Sequence, residues 1–252
     1  MAIAEQKLTN RAYLNERVDL AAAFRWAERY NLHESVANHF SLAVNDDGSQ
    51  FLMNPNAVHF SRIKASDLLL LDANDERTLD HPNAPDVTAW GLHGALHRLC
   101  PHARCAMHVH STHATVLACL KDAELPAIDQ NTAMFFNRQV VDLGFSGMAM
   151  GDEGARCASL LTDPKVKVMI MGNHGVMVIG DTVAETFNRL YYFERAADTY
   201  IRALQTGKEL NYLSDEIAEK TAQEWEGYEG LDEAHLRELK LILDEEESDY
   251  AA

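Results

Sequence analysis

Cys105-Ala-Met-His-Val-His-Ser111 is the stretch on which the fold of this chain turns. In an extended strand alternate side chains share a face, so His108 and His110 point the same way while Val109 turns into the layer behind. The pair forms a two-point claw. A third histidine stands in Gly172-Asn-His-Gly175, between the apolar runs Val166-Lys-Val-Met-Ile-Met171 and Val176-Met-Val-Ile179. That context places His174 at a strand end or tight turn, where a backbone bend can aim it back at the pair. Three neutral imidazoles with a coordination position left open are the pattern of a catalytic metal site. Zinc is the expected ion, with manganese as the alternative. The plain alternative is core histidines bonded to backbone carbonyls. A third histidine at a glycine-flanked turn favours shared metal binding.

Working outward, helices and strands mix along the chain. Asn15 to Tyr30 carries Val18, Leu20, Ala22, Phe24 and Trp26 at helical spacing, which predicts an amphipathic helix. Phe40–Val44 and Gln50–Met53 flank Asn45-Asp-Asp-Gly48, a strong turn signal, and predict a hairpin. Leu68–Leu71 reads as a buried strand, Asp75 to Val87 as a charged connection, and Trp90 to Leu99 as a helix ended by Pro101. Ser111 to Leu120 and Gly151 to Leu161 read as further helices. Thr182-x-x-Glu185 predicts a capping box for a long helix closing at Gly207. The mixture predicts a sheet covered by helices. Beyond Gly207, Ser214–Glu226 and Leu231–Leu243 read as two acidic helices, and Asp244-Glu-Glu-Glu-Ser-Asp249 as a frayed, solvated terminus. The expected organisation is a main domain over 1–207 and an acidic helical extension over 208–252.

At 252 residues, 47% of them hydrophobic, the chain can bury one substantial core. It has no apolar stretch of bilayer-spanning length and no signal-peptide core, so a cytoplasmic protein without membrane partners is expected. The four cysteines, Cys100, Cys105, Cys119 and Cys157, show neither a CxxC pair nor a disulfide spacing, which fits reduced thiols. A net charge of −17 disfavours binding to nucleic acid. Residues 208–252 carry fifteen acids against four bases, so most of that charge sits in the tail.

The run Trp90-Gly-Leu-His-Gly-Ala-Leu-His-Arg-Leu-Cys-Pro-His-Ala-Arg-Cys-Ala-Met-His-Val-His-Ser111, the later Asn173-His-Gly-Val176 and the long helix after it resemble the class II aldolase/adducin family, over roughly Val18 to Leu204. The resemblance implies an α/β/α three-layer sandwich around a mainly antiparallel sheet, like the fuculose phosphate aldolases. It implies a homotetramer, and His108, His110 and His174 as metal ligands. Aldolases, a dehydratase, decarboxylases and the nonenzymatic head of adducin share this fold, so membership alone does not choose the reaction.

Two departures from the family pattern narrow the choice. Sugar-phosphate aldolases of the family have a proton-carrying glutamate just before the tryptophan that opens the helix; Ala89 stands there. Their phosphate cradle uses a Gly-Asn pair, a Thr-Gly turn and two serines, where this chain has Ala37-Asn38, Asn56-Ala57 and Val87-Thr88. With the glycines lost, a phosphorylated substrate is disfavoured. Decarboxylation fits a site without a carboxylate base, because a metal takes up the electron density that carbon dioxide leaves behind. Retro-aldol cleavage needs a base, for which Asp86, His93, His97 or a metal hydroxide are the candidates.

The expected activity is therefore a divalent-metal-dependent carbon–carbon lyase, an aldolase or decarboxylase, acting on a small non-phosphorylated hydroxy or keto acid or carbonyl compound. His93 and His97, four apart on one helix face, are weak catalytic candidates; a backbone-bonded structural imidazole is the competing reading for His93. Asn38, Thr88, Gln130 and His59 are candidates for orienting substrate, His39 is ambiguous, and His113 is read as structural or as orienting a metal ligand through a hydrogen bond. The rival reading is an adducin-like assembly module whose chemistry has lapsed. In either reading the acidic tail could be a lid over a neighbouring site or a partner-binding segment.

Overall fold

In the computed structural model, which describes residues 12–80, 83–144 and 153–252, the chain runs α1 (Leu14–Arg29), β1 (His39–Ala43), β2 (Gln50–Met53), β3 (Leu69–Asp72), α2 (Val87–Leu99), β4 (Cys105–Val109), α3 (Thr112–Ala118), α4 (Gln130–Ala133), β5 (Gln139–Asp142), α5 (Glu153–Leu160), β6 (Val168–Met171), β7 (Gly175–Gly180), α6 (Val183–Gln205), α7 (Asp215–Glu226) and α8 (Leu231–Glu245). His81 and the expected helix start at Gly151 lie outside the described residues.

Strand alternation builds the layers. In β4, Cys105, Met107 and Val109 enter one apolar cluster with α1, α3, α6 and α8, while Ala106 enters a second cluster with Leu92 and Leu96 of α2 and Cys157 and Ala158 of α5. The partner strands obey the same period of two: Val168, Ile170, Val176 and Val178 face the first cluster, and Met169, Met171, Met177 and Ile179 the second. The result is one seven-stranded sheet, ordered β3-β2-β1-β4-β7-β6-β5, with helices on both faces. Every pairing is antiparallel except β5 with β6. This is the three-layer α/β/α architecture expected from the resemblance.

The hairpin forms around the anticipated turn, with Ser41 opposite Met53 and Gly48 at φ +67°. A side chain at Gly48 would meet the carbonyl oxygen of His97 at 2.1 Å, so the tip docks on the end of α2 only because it is glycine. That contact ties the hairpin to the helix carrying His93 and His97.

Four expectations change. Leu69–Asp72 is an edge strand with only Leu71 buried among its four residues, because β2 occupies one side and no strand of the described residues the other. Helix α2 starts at Val87 rather than Trp90, since Asp86 caps it by accepting from the backbone N–H groups of Thr88 (2.9 Å) and Ala89 (3.2 Å). At α6 the capping box is half made: the Thr182 hydroxyl accepts from Glu185 N, but the Glu185 carboxylate accepts from Asp181 N, not from Thr182. Finally, the terminus is docked rather than frayed. Tyr250 is 2% exposed, Ala65 N donates to Tyr250 O at 2.8 Å, Ser66 N donates to Ala252 O at 3.0 Å, and Asp249 lies between Arg25 and Lys64. The acidic composition concealed one aromatic anchor and a basic surface waiting for it.

The tail helices share the main core. Leu236, Leu239 and Leu243 of α8 are buried with α1 and α6, and Trp26 Nε1 donates to Leu239 O at 2.9 Å. Arg138, itself buried, is held by Glu219 and Glu226 of α7. No helix among the described residues is long and apolar enough to cross a membrane.

Candidate metal centre

His108 and His110 leave β4 on the face turned towards α2, and the turn after β6 carries His174 to them. Asn173, in the left-handed region at φ +60°, donates its N–H to Ala118 O at 2.9 Å, and His174 N donates to Met171 O at 3.0 Å. Gly175 then starts β7 tightly against β4; a Cβ there would meet Val109 O at 2.4 Å. Only a glycine allows the turn to sit this close to the histidine strand. One ring nitrogen from each of His108, His110 and His174 lies within 4.8 Å of the others, and the three ring centroids are 4.7–4.9 Å apart.

The surroundings suit these rings to bind a cation. His108 Nδ1 donates to Val176 O at 3.1 Å and leaves Nε2 as the lone pair, 3.0 Å from His110 Nε2. His110 Nδ1 is 2.5 Å from the Glu34 carboxylate, the carboxylate–imidazole pairing that orients metal-binding histidines. Burial pushes His108 well below the ordinary imidazole range, helped by neighbouring His39, His110 and His174, and burial likewise lowers His174. Ring nitrogens converging on one point, with the opposite nitrogens of His108 and His110 tethered, fit a divalent metal.

Behind the triad lies a row of imidazoles. His39 stands opposite His108 in the β1–β4 register and stacks on it, 4.9 Å between centroids. Its Nδ1 is 2.7 Å from His93 Nε2; the Ser41 hydroxyl bonds His93 Nδ1 and lies 2.7 Å from His97 Nε2; His97 Nδ1 is 2.7 Å from Ala103 O. Thus His97 is tethered to backbone, whereas His93 is held by side chains alone.

The remaining candidates spread out. Asn38 is buried beside the triad, its Oδ1 accepting from Glu34 N (2.7 Å) and His110 N (3.4 Å), while its buried amide nitrogen has no partner among the described residues. Thr88 sits at the start of α2 and donates to Asp86 at 2.5 Å. Asp86 is thereby committed as a helix cap, although its charge reaches His39. His59 pairs with His33 (3.2 Å) and Ser61 (2.8 Å) in the loop after β2. Gln130 is brought to the tail instead, where its carbonyl accepts from Trp225 Nε1 at 3.1 Å. Ala89 is buried against Phe51, Met53, Leu71 and Ala73. Ala57 holds φ +57°, a left-handed backbone that favours the glycine found there in the family pattern. His113 binds Glu194 (2.8 Å) and Asp198 (3.0 Å), a structural role.

Sequence reading overlooked Glu34 and Ser41. Ser41 had a signal, since His39-x-Ser41 alternates just as His108-x-His110 does; Glu34 had none, lying in an irregular connection. A second cluster, Asp142, Glu153 and Cys157, also falls within 4.8 Å. Arg156 bridges both carboxylates and burial pushes the Cys157 thiol up to about 12, so this cluster is an ion pair with an inert thiol.

The model of the Class II Aldolase and Adducin N-terminal domain matches residues 18–201. A provisionally named aldolase class 2 protein of Pseudomonas aeruginosa is 28% identical over 202 residues, covering 80% of this chain and 76% of its own. The crystal structure of an aldolase II superfamily protein from Pseudomonas syringae superposes with a TM-score of 0.85 at 26% identity, over 98% of this chain and all of that one. L-fuculose 1-phosphate aldolase from Glaciozyma antarctica superposes with a TM-score of 0.79 over 99% of this chain and 95% of that one; at 19% identity it is a likeness of fold.

Proposed function

We propose, from the premise that the chain belongs to the Class II Aldolase and Adducin N-terminal domain family, that it is a divalent-metal-dependent lyase. It makes or breaks a carbon–carbon bond, by aldol cleavage or decarboxylation, in a small non-phosphorylated hydroxy or keto acid or carbonyl compound. The observation that carries this reading is the convergence of His108, His110 and His174, with the outer nitrogens of His108 and His110 already tethered. Those three imidazoles would hold the metal, zinc by the chemistry of an all-nitrogen donor set. When bound, such an ion supplies a Lewis acid for charge developing on a carbonyl oxygen. A homotetramer is part of the same reading, by the family's habit.

The chain's own residues do the rest. Glu34 and the Val176 carbonyl fix the ring planes of His110 and His108, so that the donor set need not reorganise on binding. The buried Asn38 amide nitrogen, lacking a partner among the described residues, offers a hydrogen bond to a substrate oxygen beside the triad. The departures at Ala37, Ala57 and Val87 from a phosphate cradle favour an unphosphorylated substrate.

The test is metal content by elemental analysis of protein purified without a histidine tag, for wild type and His110→Ala. About one equivalent of zinc or manganese per chain, lost in the variant, is the expected result, followed by screening hydroxy and keto acids for carbon dioxide or aldehyde release. No metal after reconstitution would instead favour an assembly module of the adducin kind.

A further inference from the structure

The row of hydrogen bonds behind the triad admits one arrangement of protons. A carbonyl oxygen only accepts, so His97 Nδ1, 2.7 Å from Ala103 O, carries a proton. In a neutral ring His97 Nε2 is then a lone pair, and the Ser41 hydroxyl 2.7 Å away must donate to it. Having spent its single proton, Ser41 Oγ accepts from His93 Nδ1, which leaves His93 Nε2 as a lone pair. His39 Nδ1, 2.7 Å from that nitrogen, must therefore donate. Each link forces the next. All three rings are buried, and no carboxylate is hydrogen-bonded to any of them among the described residues, so each is taken as a neutral ring with one proton.

The end of the row is His39 Nε2, the unprotonated nitrogen of a ring whose Nδ1 is engaged by His93. His39 stacks on His108 and lies within electrostatic reach of His110 and His174, so this nitrogen belongs to the same site as the triad. Asp86, whose charge acts on His39, is an acceptor already engaged by Thr88 and Ala89 and has no proton to offer. The lone pair is therefore left to accept from a donor that a ligand brings to the site.

We propose that His39, locked as its Nδ1–H tautomer by His93, Ser41 and His97, is a specificity-determining residue whose Nε2 accepts a hydrogen bond from a substrate hydroxyl, so that the site selects hydroxylated compounds. The substrate part rests on the metal-site reading above. Ser41, His93 and His97 are positioning residues that act through His39.

Two measurements test it. Long-range ¹H–¹⁵N correlation spectra of metal-free protein report which nitrogen of each histidine is protonated. The expected result is a proton on Nδ1 of His39, His93 and His97, with Ser41→Ala breaking the preference at His93 and His39. A proton on His39 Nε2 in the wild type would overturn the assignment. For the zinc-loaded protein, glycolate and methoxyacetate are compared as ligands, because they differ in the hydroxyl proton. Wild type is expected to bind glycolate about tenfold more tightly. In His39→Asn, whose side-chain amide can still donate to His93 but has no group at the Nε2 position, the two should bind equally. Retained discrimination in that variant overturns the proposal. A wild type that loads no zinc overturns the metal-site reading and the substrate assignment with it, while a His39 Nε2–H tautomer in a zinc-binding protein sinks the His39 assignment alone.

Discussion

The buried imidazoles set the acid limit of this protein. His39, His93 and His97 are buried, and burial, their leading influence, keeps them neutral far below the pH at which an unfolded histidine would charge. Above pH 6.5 both states are neutral and the rings contribute no pH dependence. As pH falls from about 6.5 to about 4 the unfolded chain binds protons that the folded one refuses, so stability falls throughout that window. Metal-free protein followed by circular dichroism should therefore lose stability before most carboxylates titrate. A transition confined to pH values below 4 would show that these rings charge without cost.

Among the secondary elements, the joint between β4 and α3 decides where His110 stands. Glu194 of α6, 9% exposed, accepts from Ser111 Oγ (2.7 Å), His113 N (2.9 Å) and Ala114 N (3.0 Å), and His113 Nδ1 is 2.8 Å away. One carboxylate thus satisfies the free N–H groups at the start of α3, directly after the metal-site strand, where a negative charge also suits the helix dipole. Glu194→Ala should cost about 2–4 kcal/mol in urea unfolding, because it leaves those donors unsatisfied. It should also weaken zinc binding by about tenfold, since Ser111 adjoins His110. Unaltered zinc affinity in a folded variant would show that β4 alone positions the ligand.

For the whole molecule, the tail is a structural clasp. Asp249 joins Arg25 of α1 to Lys64, Glu246 pairs with Arg29, and Tyr250 is buried in the main core. The exposed ion pairs contribute little each, and the buried tyrosine contributes most. Removing residues 246–252 should lower stability by about 2–4 kcal/mol in urea unfolding; an unchanged midpoint would restore the picture of a frayed terminus. Cutting after Gly207 is a harsher change, because it strips Leu236, Leu239 and Leu243 from the main core. It cannot separate a loss of turnover from a loss of folding, as a detachable lid would.

By itself the sequence determined what is periodic and local. Strand alternation around His108 and His110, the turn at Asn45–Gly48 and the glycines beside His174 each announce their geometry through residues adjacent in the chain, and a sheet covered by helices with three convergent histidines followed from them, while the three-layer α/β/α arrangement was what the family resemblance implied. What only the tertiary structure decided is non-local. Pairing of His39 with His108 in register, the bond from Ser41 to two helical imidazoles, the reach of Glu34 to His110 and the docking of Tyr250 bring together residues from about 50 to over 180 positions apart. No periodicity records such meetings, because they depend on the order in which strands pair and on which helix packs over which face. The acidic tail shows why composition misled: its charges look solvated until the basic surface that receives them is folded into place.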